Sequence, residues 1–422
     1  MFLRAVWTLC ATAVVCASPV AAQTQRASTL TLPQTLQRVV AVNPRLAAAD
    51  RTIAMSHGRR QQAGALPNPS VGFDVDNFAP SGSVPGQAVE TTLLLSQLVE
   101  LGSKRDARVA AALGDYDAAR YEREATRLEL LSEATVAFIG ALAAQRRIAL
   151  LDRHVAALER LVPLMQRRLE AGASSPAEVT KIQGAIGFTR LERERSRVAQ
   201  SLAQRELGVL MGLDTPDFTA VSGNLGGMPR LAPFDAIVKA IADNPQLMRW
   251  TAVRARRDAD LLSARLKAVP DVTASVGWRR YGDTPENALR LGISMPIPVL
   301  DQNRGGIREA QELAQRTEAE REINRLTLIV TVGKAYDTAA SALQQIDLLR
   351  RTVLPATRST LSTIETGYEQ GRFTVLEILD AYQRVADAEL MEHDALNMLH
   401  TSLATIEGLT GSAAVPAQMR TR

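Results

Sequence analysis

The order Asn43-Pro44-Arg45-Leu46 returns as Asn244-Pro245-Gln246-Leu247. Pro69 before Val71 returns as Pro270 before Val272, and Gly172 returns as Gly371. The spacing between partners stays close to 200 residues throughout. A constant offset over several landmarks marks a duplication, and a period this long is a domain-sized copy rather than a solenoid turn. Whatever one copy folds into, the 422-residue chain builds twice. The boundaries read as 23–213 for the first copy and 232–411 for the second. A Gly- and Pro-rich linker, 214–231, lies between them, and a loose C-terminal tail, 412–422, follows.

Each copy shows the same order. A short helical piece, about Pro33 to Val42 in the first copy, runs into Asn43-Pro44, which breaks or bends it. A helix follows to about Ala65. Then come two strand-like runs. Val71, Phe73 and Val75 alternate with Gly72, Asp74 and Asp76. After the polar loop Pro80–Gly86, the run Val89–Leu98 is extended and largely apolar. In the second copy Val272, Ala274, Val276 and Trp278 alternate with Thr273, Ser275, Gly277 and Arg279. Leu289, Leu291, Ile293 and Met295 alternate with Arg290, Gly292 and Ser294. Period two with one apolar face is the signature of a strand.

A very long helical segment comes next. From Arg105 to Ala171 the one strong breaker is Pro163, and the length corresponds to roughly 100 Å of helix. Ile148, Leu151, Val155, Leu158, Val162, Met165 and Leu169 alternate in steps of three and four, a coiled-coil seam. The second copy carries Ile346, Leu349 and Val353, then Leu361, Ile364 and Tyr368. Such seams hold helices together and bind no cofactor. Pro163 and Pro355 predict kinks.

Each long helix then stops at a glycine and restarts about three residues later. Gly172 and Gly371 suit the left-handed residue that ends a helix. Ser175 with Glu178, and Thr374 with Glu377, have the spacing of a capping box. Pro176 sits just after the cap, where its missing N–H costs nothing. Two tight helical hairpins result, with return helices from Pro176 to about Met211 and from Val375 to about Leu409.

Residues 1–22 read as a secretory leader. Arg4 gives a basic start, Ala5–Cys16 an apolar core, and Val20-Ala21-Ala22 a small-residue cleavage site. Both cysteines, Cys10 and Cys16, fall inside it, so the exported chain has no thiol, disulfide or cysteine ligand. Bulky Val15 before Cys16 argues against lipidation. No later stretch reads as a membrane-spanning helix. Charges alternate along helices, as in Arg190-Leu-Glu-Arg-Glu-Arg195, which describes a solvated face rather than a nucleic-acid patch. His57, His154, His393 and His400 are the only histidines, and none shows strong metal-ligand spacing. No nucleophile–base pair, phosphate loop or paired-acid pattern is present, so the chain reads as no enzyme and needs no cofactor.

Four strands of roughly ten residues have the length of tilted membrane-crossing strands. Four cannot close a barrel, and an open edge cannot face lipid. The wall must be shared between chains, with the charged helices outside the bilayer. A small soluble periplasmic sheet is the competing reading of the same strands.

In this order the residues resemble the TolC-like outer-membrane efflux channels over nearly the whole exported chain. The resemblance rests on the paired Asn-Pro motifs, on Leu95-Ser-Gln-Leu-Val-Glu-Leu-Gly-Ser-Lys-Arg105, and on Tyr368-Glu-Gln-Gly371 through Leu376-Glu-Ile-Leu-Asp-Ala-Tyr-Gln383. Ile293-Ser-Met-Pro-Ile-Pro-Val-Leu-Asp-Gln-Asn-Arg-Gly305 is similar to the Pro-Leu-Pro-Leu-Phe-Asp-Arg-Asn-Gln-Gly run of the CzcC-type heavy-metal branch. Val299 and Leu300 replace its Leu-Phe, and Gln302 replaces its first Arg.

The resemblance implies a mainly α protein with membrane β. It would be a homotrimer with a shared twelve-stranded barrel, four strands per chain, continued by a coiled-coil tunnel through the periplasm. It implies residence in the outer membrane of a Gram-negative bacterium. The partners would be a periplasmic adaptor (membrane fusion protein) and an inner-membrane resistance-nodulation-division (RND) pump. By position from the tip glycines, Glu178, Glu377 and Asp380 match the acids that line the family's periplasmic gate. Gly172, Ser175, Gly371, Arg372 and Thr374 form the tip turns for adaptor docking. The multidrug members carry an Arg two residues past the second tip glycine; here Phe373 stands there with Arg372 beside it. Multidrug efflux or type I secretion keeps the same fold with other cargo. A periplasmic coiled-coil adaptor is the alternative of another class, and would need one hairpin and one copy.

Overall fold

A computed structural model describes residues 29–77 and 89–411. The leader, the loop Pro80–Gly86 and the tail 412–422 lie outside the described residues. The first half runs β1 (Thr29–Thr31), α1 (Leu32–Val42), α2 (Pro44–Ala63), β2 (Ser70–Asp76), β3 (Glu90–Val99), α3 (Lys104–Glu159), α4 (Val162–Glu170) and α5 (Pro176–Leu210). The second runs β4 (Ala220–Ser222), α6 (Phe234–Ala240), α7 (Pro245–Leu266), β5 (Val272–Tyr281), β6 (Asn287–Ser294), α8 (Arg304–Leu348), α9 (Leu354–Glu369) and α10 (Val375–Thr410).

The Asn-Pro pairs are joints, and both are built alike. Asn43 caps α2: its Oδ1 accepts from the Arg45 N–H at 2.9 Å. Its Nδ2 donates to the Leu210 carbonyl, 2.9 Å away at the end of α5. Asn244 caps α7 through the Gln246 N–H at 2.7 Å and donates to the Leu409 carbonyl at 2.5 Å. Both asparagines are buried. Asn supplies an acceptor and a donor from one short amide. One side chain therefore starts one helix and clasps the end of another, and the following Pro fits the first helical position.

The sheet joins the two copies. Its order is β2-β3-β5-β6, antiparallel throughout. Cross-strand partners share a face, so the register decides which residues lie together. Val71, Leu95, Val276 and Leu291 form one row; Phe73, Leu93, Trp278 and Leu289 form the next. This face is apolar and bare: Val71, Phe73, Leu289, Leu291 and Ile293 are 67–81% exposed. The opposite face is mostly polar. There Arg279 pairs with Glu90 at 2.7 Å and donates to the Thr92 hydroxyl at 3.0 Å. Within this sheet β2 and β6 each have one strand neighbour, so both are edges.

Below the sheet the helices run side by side. α3 packs on α5, α8 on α10, and α3 also meets α7 and α10 of the other copy. The proline breaks take two forms. The chain turns at Arg160–Leu161 before Pro163, whereas a widened π-helical turn, Leu349–Val353, precedes Pro355. In each case the missing proline N–H forfeits a helical hydrogen bond, and the backbone relaxes one turn upstream. The π turn divides the second-copy seam between Ile346 and Leu361.

Two features go beyond the sequence reading. The segment read as linker contains β4, which pairs in parallel with β1. Gln145 clasps Val221 from both sides, accepting from its N–H at 3.1 Å and donating to its carbonyl at 3.3 Å. Three-residue strands are too short to show periodicity. Second, one helical stretch within Lys104–Glu170 is long and apolar enough to span a bilayer by length and composition alone. Its apolarity has a local use: Leu130, Ala134, Phe138 and Leu142 of α3 pack into a core with Val39, Leu207 and Val221.

Replacing Asn43 or Asn244 by Ala should cost roughly 1–3 kcal/mol each, the sum of a lost cap and a stranded carbonyl. Ser at either position keeps a capping oxygen but loses the clasp, so it should recover only part. Thermal melting of the detergent-solubilised variants measures both effects.

Candidate functional site: the paired hairpin tips

The two hairpins end with the same backbone. At the first, Gly172 N–H donates to the Leu169 carbonyl at 3.0 Å and Ala173 N–H to Arg168 at 2.8 Å. At the second, Gly371 donates to Tyr368 at 3.0 Å and Arg372 to Gly367 at 2.8 Å. Both glycines sit at positive φ, +69° and +76°. This is the Schellman closure, and a side chain at either glycine would be strained.

The restarts differ. Thr374 and Glu377 close a full capping box. The Glu377 N–H reaches the Thr374 hydroxyl at 3.3 Å, and the Thr374 N–H and hydroxyl donate to the Glu377 carboxylate at 2.7 and 2.8 Å. These donors, the backbone N–H first, hold the Glu377 carboxyl below its ordinary range. The expected box between Ser175 and Glu178 does not form. Ser175 has the extended N-cap backbone but makes no side-chain cap bond. The hydroxyl of the adjacent Ser174 donates to the Glu178 carboxylate instead. With two serines in a row, the spacing alone does not say which one takes the acid.

Both tips fuse into one body. Tyr368 is buried, and its hydroxyl donates to the Met165 sulfur at 2.6 Å. Arg168 of the first hairpin donates to the Tyr368 carbonyl at 2.7 Å and stacks 4.7 Å from the ring centre. Leu158, Ile182, Val375 and Ile378 close the cluster. Glu178, Glu377 and Asp380 thus stand at one end of the chain. Glu178 is half-buried, while Glu377 and Asp380 are exposed three residues apart on α10. Asp380 lies 3.5 Å from Arg384, one turn on, in a solvent-exposed pair. Arg372 is exposed at the turn itself.

Further along the bundle, three helices meet at one carboxylate. His154 of α3 contacts Glu389 of α10 at 3.1 Å, and Arg358 of α9 reaches the same carboxylate at 2.6 Å. The His154 hydrogen bond and then Arg358 lower the Glu389 pKa to about 2, against a desolvation effect of opposite sign. His400 is buried on the Leu225 carbonyl at 2.8 Å, and burial pushes its pKa down. Among the described residues, no three His, Cys, Asp or Glu side chains gather as a metal site. The Arg168–Tyr368 and His154–Glu389 contacts escaped the sequence reading. Their members lie 200 or more residues apart, and nothing local marks them as partners.

Comparison with known proteins places this geometry in context. The outer membrane efflux protein family matches residues 35–213 and 236–412. The cobalt-zinc-cadmium resistance protein CzcC of Cupriavidus metallidurans is 26% identical over 387 residues, covering 92% of this chain and 91% of that protein. The nickel and cobalt resistance protein CnrC of the same organism is 26% identical, covering 74% and 73%. Among solved structures, a membrane protein from Pseudomonas aeruginosa superposes with a TM-score of 0.78 at 19% identity, covering 90% of this chain and 92% of that one.

The lowered Glu389 pKa gives a signed prediction. A depressed carboxylate stabilises the fold above its unfolded value, near 4.5, and that stability is lost as pH falls towards 2. Glu389→Gln should therefore melt below wild type at pH 7, and the gap should close as the pH approaches 2. Melting curves across that range check it.

Proposed function

The chain belongs to the outer membrane efflux protein family, and on that premise we propose that it is the outer-membrane exit duct of a tripartite efflux assembly carrying heavy-metal cations. The observation that carries the membrane placement is the sheet. One face is a bare apolar surface, the other is polar and ion-paired, and both edges are open. That arrangement suits a wall between lipid and water. A soluble adaptor has no use for it. Three copies, with four strands each, give a twelve-stranded barrel, and the bundles continue it as a tunnel across the periplasm. Residues 1–22 direct export and are removed.

The hairpin tips face the inner membrane in this reading. The turns at Gly172, Ser175, Gly371, Arg372 and Thr374 meet a periplasmic adaptor, which couples the duct to an RND pump. Glu178, Glu377 and Asp380 ring the narrow end. Rings of like charge favour cations and resist close approach at neutral pH. The cargo reading draws support from the relatives named for cobalt, zinc, cadmium and nickel resistance. The Ile293–Gly305 stretch, similar to the heavy-metal branch, points the same way. A duct needs weak rather than tight ion binding, because conduction requires release.

Deleting the gene should sensitise the host to cobalt, zinc or cadmium while leaving dye resistance intact. Sensitivity to dyes alone would move the cargo to the multidrug class. In planar bilayers, Asp380→Ala should lower the preference for cations over anions without abolishing conductance. Unchanged selectivity would remove Asp380 from the lumen.

A further inference from the structure

The two copies differ in length where the sheet meets the long helices. Each long helix starts from a residue in the left-handed conformation, Ser103 before α3 (φ 59°) and Asn303 before α8 (φ 53°), 200 residues apart. Between the strand and that residue the first copy has three residues, Glu100 to Gly102, and the second has eight, Met295 to Gln302. The short linker is pinned. Both Glu100 carboxylate oxygens accept from Arg108, and the Leu101 N–H donates to Asp271 at 3.1 Å. The long linker is bare: Ile297, Val299 and Leu300 are 76%, 72% and 101% exposed.

A cluster of bare aliphatic side chains on an inserted segment calls for something to cover it. Its backbone asks for little. Pro296 and Pro298 have no N–H to satisfy, and the Val299 N–H donates back to the Ile297 carbonyl at 2.9 Å. The polar run Asp301-Gln302-Asn303-Arg304 follows at once, and there the chain is fastened. The Asn303 N–H donates to the Asp301 carboxylate at 2.8 Å, and its Nδ2 to the Ala264 carbonyl of α7 at 2.7 Å. An apolar stretch with few backbone donors, hung from a polar anchor, suits a medium that offers no hydrogen bonds.

The sheet alone is too short for a bilayer. On its apolar face the rows run from Trp278 and Leu289 down to Val272 and Val99. Above Trp278 the same face turns polar, with Arg280 opposite Asn287. From Trp278 to Val272 is ~20 Å along the strand, and ~15 Å in height at a tilt of about 40°. A membrane barrel carries an apolar band about 25 Å tall. β6 prolongs the alternation of Leu289, Leu291 and Ile293 past its last pairing, through Met295, Ile297 and Val299. The stretch from Met295 to Val299 adds up to ~10 Å of height, which is the shortfall.

We propose that Met295–Leu300 is a lipid-seated foot, with Ile297, Val299 and Leu300 sunk among the phospholipids of the periplasmic leaflet. This rests on the outer-membrane duct proposed above. Phospholipid is the fitting occupant because the segment prolongs the face that meets lipid, at the end of the sheet where the helices begin. A segment built to pair with another strand would keep its donors, and two prolines have removed them here. The foot also sets how deep the sheet sits. Ile297 to Leu300 hold the rim in hydrocarbon, while Asp301 to Arg304 stay with the headgroups and water.

Fluorescence quenching tests the foot on a convenient background, since the only cysteines, Cys10 and Cys16, lie in the leader. Leu300→Cys, Leu291→Cys and Arg372→Cys each take a nitrobenzoxadiazole dye, in vesicles of phosphatidylethanolamine and phosphatidylglycerol. Lipids spin-labelled near the headgroup should cut emission at position 300 about twofold, and iodide on both sides of the membrane should leave it nearly unchanged. Position 291 should answer more strongly to lipids labelled deep in the chain, and position 372, at the hairpin tip, to iodide alone. If lipid quenches position 291 while only iodide quenches position 300, the foot is wrong and the duct reading stands. Shielding of position 300 from both quenchers would put a neighbouring copy over the segment and would equally overturn the foot. If lipid quenches neither position, both readings fall.

Discussion

A strand edge in hydrocarbon leaves N–H and C=O groups without partners, at a cost of several kcal/mol for each group. That constraint governs this chain. Its four-stranded sheet has a bare apolar face suited to lipid, yet β2 and β6 leave their outer edges open. Lipid can cover the face but cannot satisfy the edges. Only another strand can, and the chain has none spare among the described residues. On the duct reading proposed above, assembly completes the fold, and the helices outside the sheet serve to place copies so that edges meet.

The helices do so through duplication. The two asparagine clasps fix how each copy's return helix ends against the start of that copy's own earlier helix, α5 on α2 and α10 on α7. The α10–α3 seam fixes how one copy sits beside the other within a chain. At the far end, Tyr368, Met165 and Arg168 lock the two hairpins together, so each chain presents one tip.

Much of this was legible in the sequence, for identifiable reasons. The strands declared themselves because one face of the sheet is apolar and the other polar, which enforces period two. The hairpin turns declared themselves because only glycine takes φ near +70° without strain. The Thr374–Glu377 box was readable because its spacing is local. Where two candidates competed, as with Ser174 and Ser175 for Glu178, spacing named the wrong one. The short pair β1–β4 and the His154–Glu389–Arg358 junction left no local trace. They are contacts between distant segments, and periodicity carries no information about partners. Likewise the apolar stretch of α3, long enough for a membrane by composition, is explained only by what packs on it.

Native mass spectrometry of the exported chain, extracted gently in detergent, tests the central claim most directly. A mass of three chains is the result that edge closure requires. A stable single chain that stays dissolved after the detergent is removed would contradict it, because such a molecule would have satisfied its edges and covered its apolar face alone.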